Sequence, residues 1–185
     1  MGITIGIIAV AAILLIWAVS GYNGLVSKRN LMKEGWSGID VSLKKRYDLI
    51  PNLVETVKGY AAHEKQTLEQ VTRYRAASMN AASPHDKMQA EAGLTRALGS
   101  LFAVAENYPD LKASANFTAL QAELADIESN LESARRYYNG TVRENNNLVE
   151  KFPTNIIAGM FGFRSGEFFE IDNPAHRETP NVSFS

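Results

Sequence analysis

FTALQAELADIESNLESARRYYNGTVRENNNLVEKF, residues 117–152, sets Phe117, Leu120, Leu124, Ile127, Leu131, Ala134, Tyr138, Val142, Asn145, Leu148 and Phe152 three or four residues apart. That is the period of one helix face. No proline interrupts it before Pro153, and Ser114 or Asn116 stands where an N-cap belongs. The spacing predicts a single helix of about 38 residues, about 57 Å long at 1.5 Å per residue. Its near-heptad pattern calls for long helical neighbours crossing with left-handed geometry.

Working outward, a second pattern of the same period runs from Leu25 to about Met79. Met32, Trp36, Ile39, Leu43, Tyr47, Ile50, Val54, Val57, Ala61, Leu68 and Val71 mark its stripe. Pro51 lies inside it. Proline removes a backbone donor and clashes with the preceding turn, so a kink or restart is expected there, with Asp48 as the cap of a restarted helix. Tyr60 to Glu64 is expected on the following helix. A break follows at Asn80–Ser83. Ser83-Pro84-His85-Asp86 then reads as a helix start, with Ser as N-cap and Pro in the first turn. Met88, Leu94, Leu98, Leu101 and Ala105 carry that helix to Tyr108-Pro109. Short connections imply antiparallel neighbours, so the fold class is all-α: an up-and-down bundle of three or four long helices.

Ahead of the bundle, GITIGIIAVAAILLIWAVSGY (Gly2–Tyr22) holds no charge. About 20 apolar residues span a bilayer core, and Trp17 and Tyr22 sit where aromatics favour the interface. Ile3, Ile7, Ile8, Leu14, Leu15, Ile16 and Trp17 are the expected membrane anchor. A cleaved signal peptide is the rival, with Ala18-Val19-Ser20 as its cleavage site, but no basic n-region precedes the apolar run. The first charged side chain is Lys28, followed by Arg29, Lys33, Lys44, Lys45 and Arg46 against Glu34 and Asp40. Basic residues after the span put the body in the cytoplasm and the N-terminus out. Gly2, Gly6 and Ala9 make a small-residue face that would let two spans approach closely.

Behind the bundle, residues 153–171 are apolar, glycine-rich and aromatic. They suit a short helix docking on the bundle or on the membrane surface. Residues 172–185 read as an extended polar tail.

The chemistry-bearing residues are sparse. The chain has 185 residues, a net charge of −1 and no cysteine, which removes thiolate catalysis, disulfides and Cys-type zinc sites. His63-Glu64 resembles half of a zinc-protease motif, but Thr67 stands where the second His is needed. Glu123, Asp126, Glu128 and Glu132 fall mostly between stripe positions and read as a solvated face. No phosphate loop or nucleophile elbow occurs. Lys44-Lys45-Arg46 lacks the aromatic accompaniment of a nucleic-acid site. It suits anionic lipid head groups or a partner protein. Asn145, on the stripe, is either a buried register-setter or part of an exposed polar turn.

YNGLVSKRN (22–30), WSGIDVSLKKRYDLIPNLVETVKGYAAHE (36–64), ENYPDLKASANF (106–117), LQAELADIESNLESARRYYNGTVRENN (120–146) and FPTNIIAGMFGF (152–163) together resemble the LemA family of bacterial membrane-anchored proteins. The resemblance implies one transmembrane helix and an antiparallel helical bundle. It implies no activity and carries over no catalytic residue, and it is associated with membrane remodelling and membrane proteases.

The expected organisation is an anchor (1–22), a helical bundle (23–152), an apolar segment (153–171) and a tail (172–185). The expected function is a non-enzymatic scaffold at the bacterial inner membrane that self-associates. The alternative is an adaptor for a membrane protease or other membrane enzyme. No cofactor, metal or nucleic acid is expected; the partners are membrane lipids, further copies of the chain and another membrane protein. Because the longest stripe overhangs its shorter neighbours, Tyr138, Val142, Asn145, Leu148 and Phe152 are the expected inter-chain contacts.

Overall fold

Six helices form among residues 1–170, the part of the chain described in the computed structural model. They are α1 (Gly2–Tyr60), α2 (Lys65–Asn80), α3 (Pro84–Ala105), α4 (Pro109–Lys112), α5 (Ala115–Glu150) and α6 (Thr154–Phe161). No strand occurs among the described residues. The polar tail expected from residue 172 onward lies outside them.

The chain forms two compact units. One comprises Met1–Val41 with Leu131–Phe169; the other comprises Ser42–Asn130 with Glu170.

In the Ser42–Asn130 unit, the last turns of α1, then α2, α3 and the start of α5 run alternately up and down. Arg75 on α2 reaches Tyr47 on α1 across the Ala61–Glu64 turn. Gly93 on α3 lies against the Tyr74 ring, so closely that a Cβ there would collide with it. Phe102 on α3 faces Phe117 on α5 across the α4 connection. The core is Leu43, Leu49, Ile50, Leu53, Val57, Leu68, Val71, Leu94, Leu98, Leu101, Leu111, Phe117, Leu124 and Ile127, all buried. Four antiparallel segments therefore meet in this unit. Ser83 caps α3 as its sequence predicts, with Oγ accepting from Asp86 N–H at 3.1 Å. Ser114 Oγ lies 3.5 Å from Phe117 N–H at the start of α5.

The Pro51 restart is corrected. α1 passes through Pro51 and ends at Tyr60, and the chain turns at Ala61–Glu64 instead. Proline at 51 cannot donate to the carbonyl one turn back, that of Tyr47. Arg75 Nε donates to that carbonyl at 2.7 Å. The lost helical bond is replaced from another helix, and α1 has no need to end. Asp48 caps nothing; it is exposed and pairs with Lys44 at 3.1 Å. His63 and Glu64 lie in the turn rather than on a following helix.

In the other unit, α1 and α5 pack antiparallel. Lys28 pairs with Glu144 at 2.6 Å. Gly35 lets the Tyr138 backbone approach; a Cβ there would sit 3.1 Å from Tyr138 Cα. After α5 the chain reverses into α6. Gly162 ends α6 in the left-handed region (φ 69°), where the absent Cβ removes the steric cost. The chain then runs extended along α5.

Candidate functional site

Three arrangements of side chains stand out, two in the first unit and one in the second.

The first surrounds α6. Leu25, Ile157, Ala158 and Phe163 form a buried cluster, with Trp17, Val26, Leu148 and Val149 packed against it. Gly21 makes the approach possible, because a Cβ there would meet Ile157 Cδ1 at 2.5 Å. The Tyr22 ring stands edge-on to Phe161 at 4.8 Å and to Phe163 at 5.7 Å. The opposite face of the segment is uncovered: Phe152 is 79% exposed and Met160 75%, and Ile156 is also exposed. The apolar segment packs one face on helices of the chain and leaves a second apolar face exposed.

The second fastens the extended segment after α6. Asn146 Nδ2 donates to Gly166 O at 3.0 Å, and Gly166 N–H donates to Asn146 Oδ1 at 2.7 Å. Seven residues earlier, Asn139 makes the same paired contact with Phe169, at 3.1 and 2.7 Å. Asn145 Nδ2 donates to Arg164 O at 3.2 Å, and Tyr138 OH donates to Glu167 O at 2.9 Å. Burial, and then the nearby Glu167 charge, hold the Tyr138 phenol above its usual range. Phe169 lies beside the Trp36 ring and beneath the Arg135 guanidinium. The Asn139 and Asn146 amides each accept from the N–H and donate to the C=O of one residue, as a residue of a neighbouring strand would.

This clamp corrects the expected inter-chain surface. Tyr138, Val142 and Asn145 are buried within the chain, so they are not free to meet another copy. The overhanging stripe is covered by α1 and by the chain's own returning segment. Leu148 is half-buried on the α6 cluster, and Phe152 alone of the five is fully exposed.

The third is a charged core in the Ser42–Asn130 unit. Arg46 is 1% exposed and Glu91 0%. Arg46 Nη1 donates to Glu91 Oε2 at 2.8 Å, and Nη2 donates to Thr95 Oγ1 at 3.0 Å. Nε lies 2.8 Å from Glu128 Oε1, an ion pair off the hydrogen-bonding direction. Tyr47 OH donates to the remaining Glu91 oxygen at 2.5 Å. Burial, and then the Glu91 charge, push the Tyr47 phenol far above its usual range, so it remains a donor. Arg46 is therefore not part of a basic surface for lipid or nucleic acid, and Glu128 is not simply solvated. Lys44 and Lys45 beside it are exposed.

The anchor residues Ile3, Ile7, Ile8, Leu14, Leu15 and Ile16 are exposed on a helix long and apolar enough to cross a membrane. Trp17 packs partly on the α6 cluster. A side chain at Gly2 or Gly6 would meet nothing in the chain. His63 and His85 sit on exposed positions of different segments. Among the described residues no three metal-binding side chains converge.

Two signals could have found these polar groups in the sequence. Glu91 stands three residues before Leu94 on the α3 stripe, and Arg46 stands three after Leu43 on the α1 stripe. Asn139 and Asn146 stand seven apart on one helix despite poor helix propensity.

Comparison with known proteins follows the same lines. The sequence pattern of the LemA family matches residues 35–184. Magnetosome protein MamQ of Magnetospirillum gryphiswaldense is 24% identical over 188 residues, covering 88% of this chain and 68% of that protein. Magnetosome protein MamQ 2 of Paramagnetospirillum magneticum shows the same identity and coverage. Protein LemA of Metamycoplasma hominis is 26% identical over 137 residues, 74% of this chain and 63% of that protein.

Proposed function

The chain belongs to the LemA family, and we propose that it is a non-enzymatic protein anchored by α1 in the bacterial inner membrane, where it self-associates as a scaffold. The observation that carries this reading is the apolar first part of α1, which none of the other described residues buries. An apolar helix surface of that length needs lipid or another chain around it. The buried polar side chains argue in the same direction. Arg46, Glu91, Tyr47, Asn139 and Asn145 spend their hydrogen bonds holding segments of this chain together. That leaves them no substrate to hold. The names of two relatives assign them to a cell structure, the magnetosome, rather than to a reaction.

The basic residues that follow the span support a cytoplasmic body. The open face of Gly2, Gly6 and Ala9 supports self-association, since small residues let helices in lipid approach closely. The test is the mass of the full chain extracted into detergent or lipid nanodiscs, beside Gly6→Leu. Discrete assemblies that shift toward smaller species in Gly6→Leu are expected. A monomer at native surface density would sink the scaffold and leave the adaptor for a membrane enzyme.

A further inference from the structure

We infer that α6 and Phe152 form a second membrane contact, an interfacial wedge that inserts into the head-group boundary of the same bilayer the anchor crosses. The inference rests on the anchor reading above and adds a lipid-binding site to it.

The position comes first. A span beginning at Gly2 uses about 20 residues to cross the hydrocarbon. Trp17, Gly21, Tyr22 and Leu25 then stand at the membrane–water boundary, where aromatic rings belong. These are the α1 residues that α6 packs against: Ile157 on Gly21, Phe161 and Phe163 on Tyr22, and the Leu25 cluster with Trp17. The packing fixes α6 at head-group depth.

The chemistry of its free face comes second. Phe152, Ile156 and Met160 repeat every four residues, and all three are exposed. No acidic side chain occurs from Lys151 to Arg164. Lys151 and Arg164, both exposed, bracket the segment, and the Arg29 guanidinium lies 5.0 Å from the Phe163 ring. An apolar face rimmed by cations is the pattern of a helix lying in an anionic membrane surface. Large apolar residues left in water at this point contribute nothing to folding, whereas the adjoining bilayer removes them from water.

The native chain has no cysteine, so depth can be read one position at a time. The full chain carrying Phe152→Cys, Met160→Cys, Leu14→Cys or Gln66→Cys is labelled with an environment-sensitive fluorophore. It is then reconstituted into vesicles of phosphatidylcholine and phosphatidylglycerol doped with nitroxide lipids. Positions 152 and 160 should be quenched several-fold more than position 66 by a shallow nitroxide, and position 14 by a deep one. Adding Ile156→Glu and Met160→Glu should lift the label at 152 out of reach while leaving position 14 quenched. Position 14 quenched with 152 and 160 as accessible to water as 66 would overturn the wedge and leave the anchor intact. Loss of quenching at position 14 would overturn both.

Discussion

In the unit built on Ser42–Asn130 the buried polar cluster is centred on a charged pair, Arg46 and Glu91, matched to particular partners. Arg46 and Glu91 sit out of reach of water, joined directly and completed by Tyr47, Thr95 and Glu128. In the unit built on Met1–Val41 and Leu131–Phe169 the work is done by neutral amides that bind backbone. Asn139 and Asn146 grip the backbone N–H and C=O of Phe169 and Gly166, whatever side chains those carry. The difference sets what each unit tolerates. A buried carboxylate fixes which helix faces meet, and it leaves a naked charge if its partner is lost. An amide clamp fixes only the path and register of the segment it holds.

The largest expected effect therefore comes from splitting the charged core. Glu91→Ala leaves the buried Arg46 only the Glu128 pair and Thr95, and should lower the stability of the Ser42–Asn130 unit by about 3 kcal/mol, read as a shift in the urea midpoint of its transition. Replacing both partners by apolar residues of similar volume, Arg46→Met with Glu91→Leu, should recover most of that loss. A single-partner loss within experimental error of zero would remove the contrast between the units.

Next comes the repair at Pro51. Arg75→Ala leaves the buried-side carbonyl of Tyr47 without a donor and should cost about 1–3 kcal/mol. Pro51→Ala restores the helical donor, so the double variant should be far less destabilised than Arg75→Ala alone. The coupling is measured by a double-mutant cycle in urea; additive effects would mean that Arg75 does not replace the missing bond.

Tyr47 adds an alkaline limit to the charged unit. Its folded phenol binds its proton more tightly than the unfolded phenol, which titrates near about pH 10. The resulting stability is complete below pH 10 and is lost as pH rises beyond it, because only the unfolded chain ionises there. Tyr47→Phe should flatten that decline in pH-dependent urea melts. Tyr138, raised in the same direction, should give the amide-clamped unit a slope of the same sign.

The smallest effect belongs to the exposed pair of the other unit. The Lys28 ammonium holds the Glu144 carboxylate below its ordinary range. A depressed carboxylate contributes above its unfolded pKa, and the contribution disappears as pH falls through the folded value. Lys28→Ala should abolish that acid-side change in a pH titration of Glu144 by NMR while barely moving the midpoint at neutral pH, since exposed pairs are screened.

These particulars show how far the sequence could be read. The periodic stripes, the Ser83 cap and the short connections are local, and each is present in the structure where the residues place it. The passage of α1 through Pro51 is not local. It depends on Arg75, on another helix, so proline alone reads as a break. The stripe at Tyr138, Val142 and Asn145 reads as an overhang for a second chain because its cover arrives from residues 163–169, an aperiodic stretch with no helix or strand pattern. Arg46 hides in a basic run, and only its place on the Leu43–Ile50 stripe marks it as a core residue.

The contrast between the units is tested most directly by amide hydrogen exchange on the full chain, residue by residue, in Asn146→Ala and Asn139→Ala. The N–H groups of Gly166 and Phe169 each donate to one of these side chains. Asn146→Ala should speed exchange at Gly166, and Asn139→Ala at Phe169, each by roughly tenfold for the loss of about 1.4 kcal/mol. The amides of Leu94 and Leu98 in the charged unit should keep their native protection. Unchanged exchange at Gly166 and Phe169, or equal loosening of both units, would contradict the account.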